Sequence, residues 1–352
     1  MGIENAIVDL IEGRRKSWIL QSLLYFLSLV YQAVVNIRNV FYDQKLFKVH
    51  SSSLPVVSVG NIVAGGTGKT PFVQKLAMEL SQIPGEIAIL TRGYRSAAES
   101  HFVLASSGEG PLVPASLCGD EAYLLALRTK ASIWVGKHRF QSLPKIEESQ
   151  ARLIFLEDGF QHRKISRDID IVLLSAKDLF GKDFFLPRGY LRESPKNLLR
   201  ADAIVITHVE EGMDFQKIEQ RIRRFSSAPL VGFSSRYTMK KGFKGKKIGA
   251  FCGIAKPNSF YDALSAEGMH IVKTLTYPDH KIPSLQELSF FALECQKLEA
   301  EAIFCTEKDQ VKFEKGLSLE LPIEVLSMDL VCTKNENIWK EMVHSIHTRM
   351  KK

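Results

Sequence analysis

Hydrophobic and polar positions change period several times along this chain. Residues 17–37 carry no charge, and Ser17, Gln21, Tyr25, Ser28, Gln32 and Asn36 fall three or four apart. That spacing draws one polar stripe down a helix of about 3.6 residues per turn. Most of the remaining circumference is apolar, from Trp18 and Ile19 to Val35 and Ile37. Short runs rich in Val, Ile and Leu then recur at 55–60, 86–91, 132–136, 152–157, 169–175 and 203–207, with helical stretches at 70–82, 120–129 and 137–147. Strands alternating with helices predict a doubly wound parallel α/β sheet. A second, smaller α/β unit is expected from strands at 247–252, 270–276, 302–305 and 323–327, and helices at 257–267 and 285–298. A last helix at about 336–350 is expected to pack back on the first unit. Between the two units, residues 236–247 hold six cations, two glycines and no acid, the composition of a linker or hinge ribbon. The domain plan is therefore 1–50 for the amino-terminal helix region, 51–235 for the larger α/β domain, 236–335 for the smaller one and 336–352 for the final helix.

Composition narrows the classes. A chain of 352 residues, 45% apolar and 24% charged, has material for about two cores and excludes disordered or collagen-like architecture. A net charge of +8 favours anionic partners, phosphates or an anionic membrane surface among them. The five cysteines show no CxxC spacing, so reduced thiols are expected and a zinc site is not. The cations are not interleaved with aromatics on one strand face, so nucleic acid is not an expected partner. No obligate protein partner is evident either. The apolar helix, flanked by Arg14-Arg15-Lys16 and Arg38, suits a membrane interface. Packing on the protein's own core and a true span are the alternatives. No small-residue cleavage site follows it, so the body is expected in the cytoplasm, touching the membrane from that side.

The densest chemistry lies at Asn61-Ile-Val-Ala-Gly-Gly-Thr-Gly-Lys-Thr-Pro71, between the strand Leu54-Pro-Val-Val-Ser-Val-Gly60 and a helix. Strand, glycine loop, Lys-Thr and helix is the order of a P-loop. Gly65, Gly66, Thr67 and Gly68 would cradle phosphate oxygens, Lys69 would reach the outer phosphates of ATP, and Thr70 would bind Mg²⁺. Val63 occupies the place where the common pattern has its first glycine. A second apolar strand, Ala151-Arg-Leu-Ile-Phe-Leu-Glu-Asp158, ends in Glu157 and Asp158, where a nucleotide-binding sheet keeps its metal carboxylates. Gly119-Asp-Glu121 precedes a helical run, so Asp120 reads equally as an N-cap and Glu121 as a first-turn acid.

These blocks occur with Thr91-Arg-Gly-Tyr94, Glu157-Asp-Gly-Phe-Gln-His-Arg163, Leu191-Arg-Glu193, Gly253-Ile-Ala-Lys-Pro257, Tyr277-Pro-Asp-His280 and Thr306-Glu-Lys-Asp309. In that order they resemble the tetraacyldisaccharide 4'-kinase family of the lipid A pathway, from the apolar helix to about residue 313. The resemblance implies transfer of the γ-phosphoryl of ATP, with Mg²⁺, to the 4'-hydroxyl of a tetraacyldisaccharide 1-phosphate, giving lipid IVA. It implies work at the cytoplasmic face of a bacterial inner membrane by a peripheral or monotopic protein. It makes Asp120 the expected catalytic base, with His280 its partner, and turns Glu121 toward the metal. Asn61, Arg92, Tyr94 and Gln161 fall in family blocks and are expected to orient phosphate or acceptor. Arg163, Lys164, Arg167, Arg188 and Arg192 are candidates for the substrate's 1-phosphate. Departures from the family pattern are Glu157, the segment Leu186-Pro-Arg-Gly-Tyr-Leu-Arg-Glu193, and Lys281 after His280. The competing readings are a kinase for another sugar or lipid acceptor and a membrane-attached NTPase switch. Against a guanine-specific switch, the lysine of Thr306-Glu-Lys-Asp309 stands one place too late.

Overall fold

The computed structural model describes residues 3–93, 96, 102–239, 242–254, 256–278, 283–313 and 319–351, with backbone alone for 3–5. Its strands are β1 (Val56–Asn61), β2 (Ile87–Thr91), β3 (Val103–Ser106), β4 (Ser132–Val135), β5 (Leu153–Glu157), β6 (Ile169–Ser175), β7 (Ala203–Thr207), β8 (Leu230–Thr238), β9 (Lys247–Cys252), β10 (His270–Thr276), β11 (Ala302–Thr306) and β12 (Ile323–Lys334). The α-helices are α1 (Ile3–Ile11), α2 (Trp18–Asp43), α3 (Lys69–Leu80), α4 (Ala115–Cys118), α5 (Asp120–Arg128), α6 (Leu143–Glu147), α7 (Phe215–Arg223), α8 (Pro257–Ala266), α9 (Leu285–Lys297), α10 (Glu307–Gln310) and α11 (Glu336–Met350).

All twelve strands join one sheet in the order β10-β9-β11-β12-β8-β7-β6-β1-β5-β2-β4-β3. From β8 through β4 every neighbouring pair is parallel. β3 closes that edge antiparallel to β4. The alternation of Val57 and Val59 against Val56 on β1 sends side chains into cores on opposite faces. One face takes α3, α5 and α11, with Phe72, Phe233 and Trp339 meeting edge to face. In the C-terminal stretch, β9 puts Ile248 and Ala250 against Phe260 and Leu264 of α8, and Phe251 against Leu288 and Phe291 of α9.

β12 joins the two stretches. Its first residues pair parallel with β11, and Ser327 onward pairs antiparallel with β8. The β8 strand was not legible in the pattern, because its second half is polar and its burial fades toward Thr238. The basic segment expected as a linker thus begins inside a strand. β12 also runs on to Lys334 instead of stopping near 327. The helix expected at 137–147 is a 3₁₀ turn at Arg139–Ser142 followed by the short α6, with Pro144 in its first turn. The element α1 was not expected.

Helix α2 turns part of its polar stripe inward, with Ser28 buried and Ser17, Gln21 and Gln32 half-buried, whereas Tyr25 and Asn36 of the stripe are exposed. Leu24, Ser28, Val35 and Asn39 are buried, while Trp18, at 78% exposure, Phe26 and Val34 face outward. Polar contacts fasten the inner side. Asn39 Nδ2 donates to Glu193 Oε2 at 3.1 Å, Tyr31 Oη donates to the Arg192 carbonyl, and Arg38 donates to the Gln161 carbonyl. The wholly buried Glu193 also accepts from Asn197 at 2.7 Å and Arg200 at 2.6 Å. Among the described residues, α2 is the one helix long and apolar enough to cross a bilayer. An outward apolar face on a helix riveted inward by polar groups inverts the arrangement of a soluble surface helix.

Candidate active site

The loop between β1 and α3 is held open by its own backbone and by neighbours. Gly60 lies so close to Phe160 that a Cβ there would sit 2.5 Å from that residue's Cβ. Val63 is buried and bridges to Leu191, so the place of the usual first glycine is taken by a core contact. Asn61, fully buried, donates from Nδ2 to Thr67 Oγ1 at 2.8 Å, and the Thr67 carbonyl accepts from Thr207 Oγ1 at 3.0 Å. Gly68, at φ +78°, is the N-cap of α3. Gly65 and Gly66 face open space where a side chain would otherwise project. The loop is thus fixed at Asn61 and Thr67 and bare at its glycines, beside a helix N-terminus. That arrangement fits a phosphate group.

β5 lies beside β1 in parallel register, with Val59 opposite Glu157. Its end brings Glu157 and Asp158 to the loop. Asp158, at φ +49°, meets Arg192 Nη1 at 2.8 Å and Lys69 Nζ at 3.4 Å. Burial works to raise its carboxyl, but Lys69 and Arg192 outweigh this and hold it well below the ordinary carboxylate range. Glu157 is pushed the other way, up to about 7, first by burial and then by Glu121 and Asp158. Thr91 Oγ1 donates to Glu157 at 3.1 Å. Two adjacent carboxyls held at opposite ends of the carboxylate range suit one fixed anion beside a group that ionises when a cation arrives.

One cavity of about 390 Å³ gathers Gly65, Lys69, Arg92, Asp120, Glu121, Glu157, Asp158 and Arg192. Asp120 opens α5, but the cap of that helix is Gly119, at φ +90°, and no side chain caps it. The N-cap reading of Asp120 is therefore replaced by one in which its carboxylate lines the cavity. Lys312 Nζ stands 3.8 Å from Asp120, and Lys308 Nζ 2.8 Å from Glu121. Thr70, buried on the first turn of α3, lines a neighbouring, more apolar cavity. Gln161 donates from Nε2 to the Asn61 carbonyl at 2.8 Å. Tyr94 and His280 lie outside the described residues.

Two residues gain roles that motif spacing did not reveal. Arg139 is buried with its Nη1 donating to the Glu157 carbonyl at 2.7 Å and, at 3.3 Å, to that of Asp158. Arg192, expected near a substrate phosphate, also spans Asp158 and Asn61 Oδ1, the latter at 3.1 Å. Arg167 is committed to Asp170 at 2.9 Å, and Arg163 to Asp43 at 2.6 Å. Arg188 lies over the Phe184 ring. Beyond the carboxylates a wider basic cleft of about 880 Å³ opens toward α2, lined by Arg38, Lys48, His50, Lys137, Arg163 and Lys164 among others.

The metal question is answered by donor chemistry. Among the described residues no cluster of three or more His, Cys, Asp or Glu could cage an ion. Mg²⁺ asks for less, one or two carboxylates together with the phosphates of its nucleotide. Asp158 and Glu157 beside Lys69 meet that demand.

A glycine cradle, an adjacent carboxylate strand and a lysine at the helix start are the arrangement of a P-loop phosphotransferase. The family model for tetraacyldisaccharide-1-P 4'-kinase matches residues 20–347. A tetraacyldisaccharide 4'-kinase of Desulfotalea psychrophila is 34% identical over 322 residues, covering 88% of this chain and 92% of its own. One from Syntrophus aciditrophicus is 35% identical over 330 residues, covering 88% of each. The crystal structure of an LpxK from Aquifex aeolicus in complex with ATP superposes with a TM-score of 0.73 at 29% identity, covering 93% of this chain and 99% of that one. This chain belongs to the tetraacyldisaccharide-1-P 4'-kinase family.

Proposed function

We propose that the cavity between the glycine loop and α5 is where the γ-phosphoryl of ATP passes to the 4'-hydroxyl of a tetraacyldisaccharide 1-phosphate, forming lipid IVA. The observation that carries this reading is the meeting of Lys69, Asp158, Glu157 and Asp120 around one cavity. The loop glycines and Lys69 bind the outer phosphates, and Asp158, Glu157, Thr70 and Glu121 form the metal side. Mg²⁺, when bound there, neutralises charge on the transferring group. Asp120 accepts the proton of the attacking hydroxyl, and Arg92 and Arg192 face the developing charge from the cavity wall. Asn61 and Gln161 hold the loop and the β5 turn in register.

The disaccharide head lies in the basic cleft, where Lys164, Lys48 and Lys137 offer cations to its 1-phosphate. Its acyl chains leave along the outward face of α2, and the protein works from the cytoplasmic face of the inner membrane. His280, carried by the smaller unit after β10, partners Asp120 when the two units close. Incubation with γ-labelled ATP and tetraacyldisaccharide 1-phosphate, followed by mapping of the labelled position, tests this reading. Label at the 4'-position is expected. Turnover indifferent to the lipid would overturn it.

A further inference from the structure

At the carboxyl edge of the C-terminal strands a polar knot surrounds Asp309, a residue 1% exposed. Asp309 accepts from the Gly253 amide at 3.0 Å, from Thr306 Oγ1 at 2.6 Å and from Lys312 Nζ at 3.2 Å. Gly253 follows β9 and Thr306 ends β11, so this one carboxylate ties two strand ends together. Lys312 is itself nearly buried, its side chain 7% exposed. Its neighbours Val311 and Phe313 anchor it, Phe313 edge to face against Phe251. The ammonium is thus placed by the C-terminal elements, and its remaining reach points out of them.

What it reaches is Asp120, at 3.8 Å. That separation lets the charges attract without a fixed hydrogen bond, and closing by about 1 Å would create one. Two further pairs hold the same helix from the same side, Lys308 to Glu121 at 2.8 Å and Arg128 to Glu307 at 3.1 Å. Helix α5 is therefore gripped at its first turn and at its last residue by α10 and the turn after it.

Resting on the reading of Asp120 as the base, we propose that Lys312 is a positioning residue that passes the placement of the C-terminal strand ends to the Asp120 carboxylate. It is not among the residues that line the cavity. Its charge fixes where the carboxylate points, and the Asp309 knot fixes where the charge stands.

Lys312→Met alone strands the buried Asp309 charge and risks the fold, so the decisive variant is Lys312→Met with Asp309→Asn, which leaves no lone buried charge. In single-turnover phosphorylation of dispersed acceptor by the full chain, this pair should lower the rate about tenfold or more. Nucleotide affinity and the acceptor KM should stay at wild-type values. Lys312→Arg should keep most of the rate. Adding the pair to Asp120→Ala should cost nothing further. An equal loss with and without Asp120, an unchanged rate, or a loss explained by weaker ATP binding each overturns the inference. Wild-type turnover by Asp120→Ala alone would instead remove Asp120 as the base, a separate failure visible before Lys312 is touched.

Discussion

In both β6-β1-β5-β2 and β11-β9-β10, parallel strands run side by side under helices on both faces, and each stretch ends in a polar cluster at its carboxyl edge. The clusters differ in whether they close. Around Asp309 an amide, a hydroxyl and an ammonium converge on one carboxylate. Around β5, Arg139 Nε, Gln161 Oε1 and His162 Nε2 are buried without a partner among the described residues, and the loop glycines face open space. Unpaired buried polar atoms cost on the order of 1–3 kcal/mol each and persist where a ligand or water completes them. The β5 cluster is built to be completed from outside, whereas the Asp309 cluster is complete and serves as a mount.

The sharpest way to break that contrast is Asp120→Ala, which should lower turnover by about 10²–10⁴ with ATP binding intact, read by steady-state phosphorylation and nucleotide titration. An undiminished rate would strip α5 of its part in the chemistry. Next, Lys69→Ala should cost about 10²–10³ in rate and abolish retention of Mg²⁺–ATP on gel filtration. Retention at wild-type level would mean that the open cluster is not the phosphate site.

A third test uses pH. Burial, then the Glu121 and Asp158 carboxylates, push the Glu157 carboxyl up from 4.5 to about 7, so the fold holds its proton more tightly than the unfolded chain does. Its stabilising contribution is whole below about pH 4.5 and is lost as pH rises through 7. By urea unfolding of metal-free protein, Glu157→Gln should gain on wild type by up to ~3 kcal/mol between pH 5 and pH 8. Parallel stability curves for the two proteins would show that Glu157 is not strained.

The smallest effect on the fold is expected on α2. Replacing the outward Trp18 and Phe26 by Ser should leave unfolding stability alone while weakening sedimentation with anionic vesicles, each side chain contributing about 1.5–3 kcal/mol when buried in lipid. Unchanged sedimentation would take the outward face away from the membrane.

Much of this was legible in the residues. β1, β5, β6 and β7 announce themselves because strands covered on both faces are near-continuous apolar runs. Glu157 and Asp158 announce themselves by standing at the end of such a run, and Lys69 by closing the glycine loop that follows another. The strand β8 did not, since its polar half is stabilised by pairing with β12, a partner some ninety residues away in sequence. Arg139 was equally hidden. A lone arginine in a loop shows no pattern, and only burial against two backbone carbonyls gives it a role. Glu193 sat in a recognisable block, but its anchoring of α2 through Asn39 depends on a contact across 154 residues.

The continuity of β12 has a mechanical consequence. A strand shared by both parts of a sheet cannot swing like a door on a flexible joint, because every degree of rotation must be absorbed as extra twist in the β8–β12 ladder. The molecule therefore works on a torsion bar. Rotation of one part against the other would have to twist that ribbon and would be opposed by its ladder of hydrogen bonds.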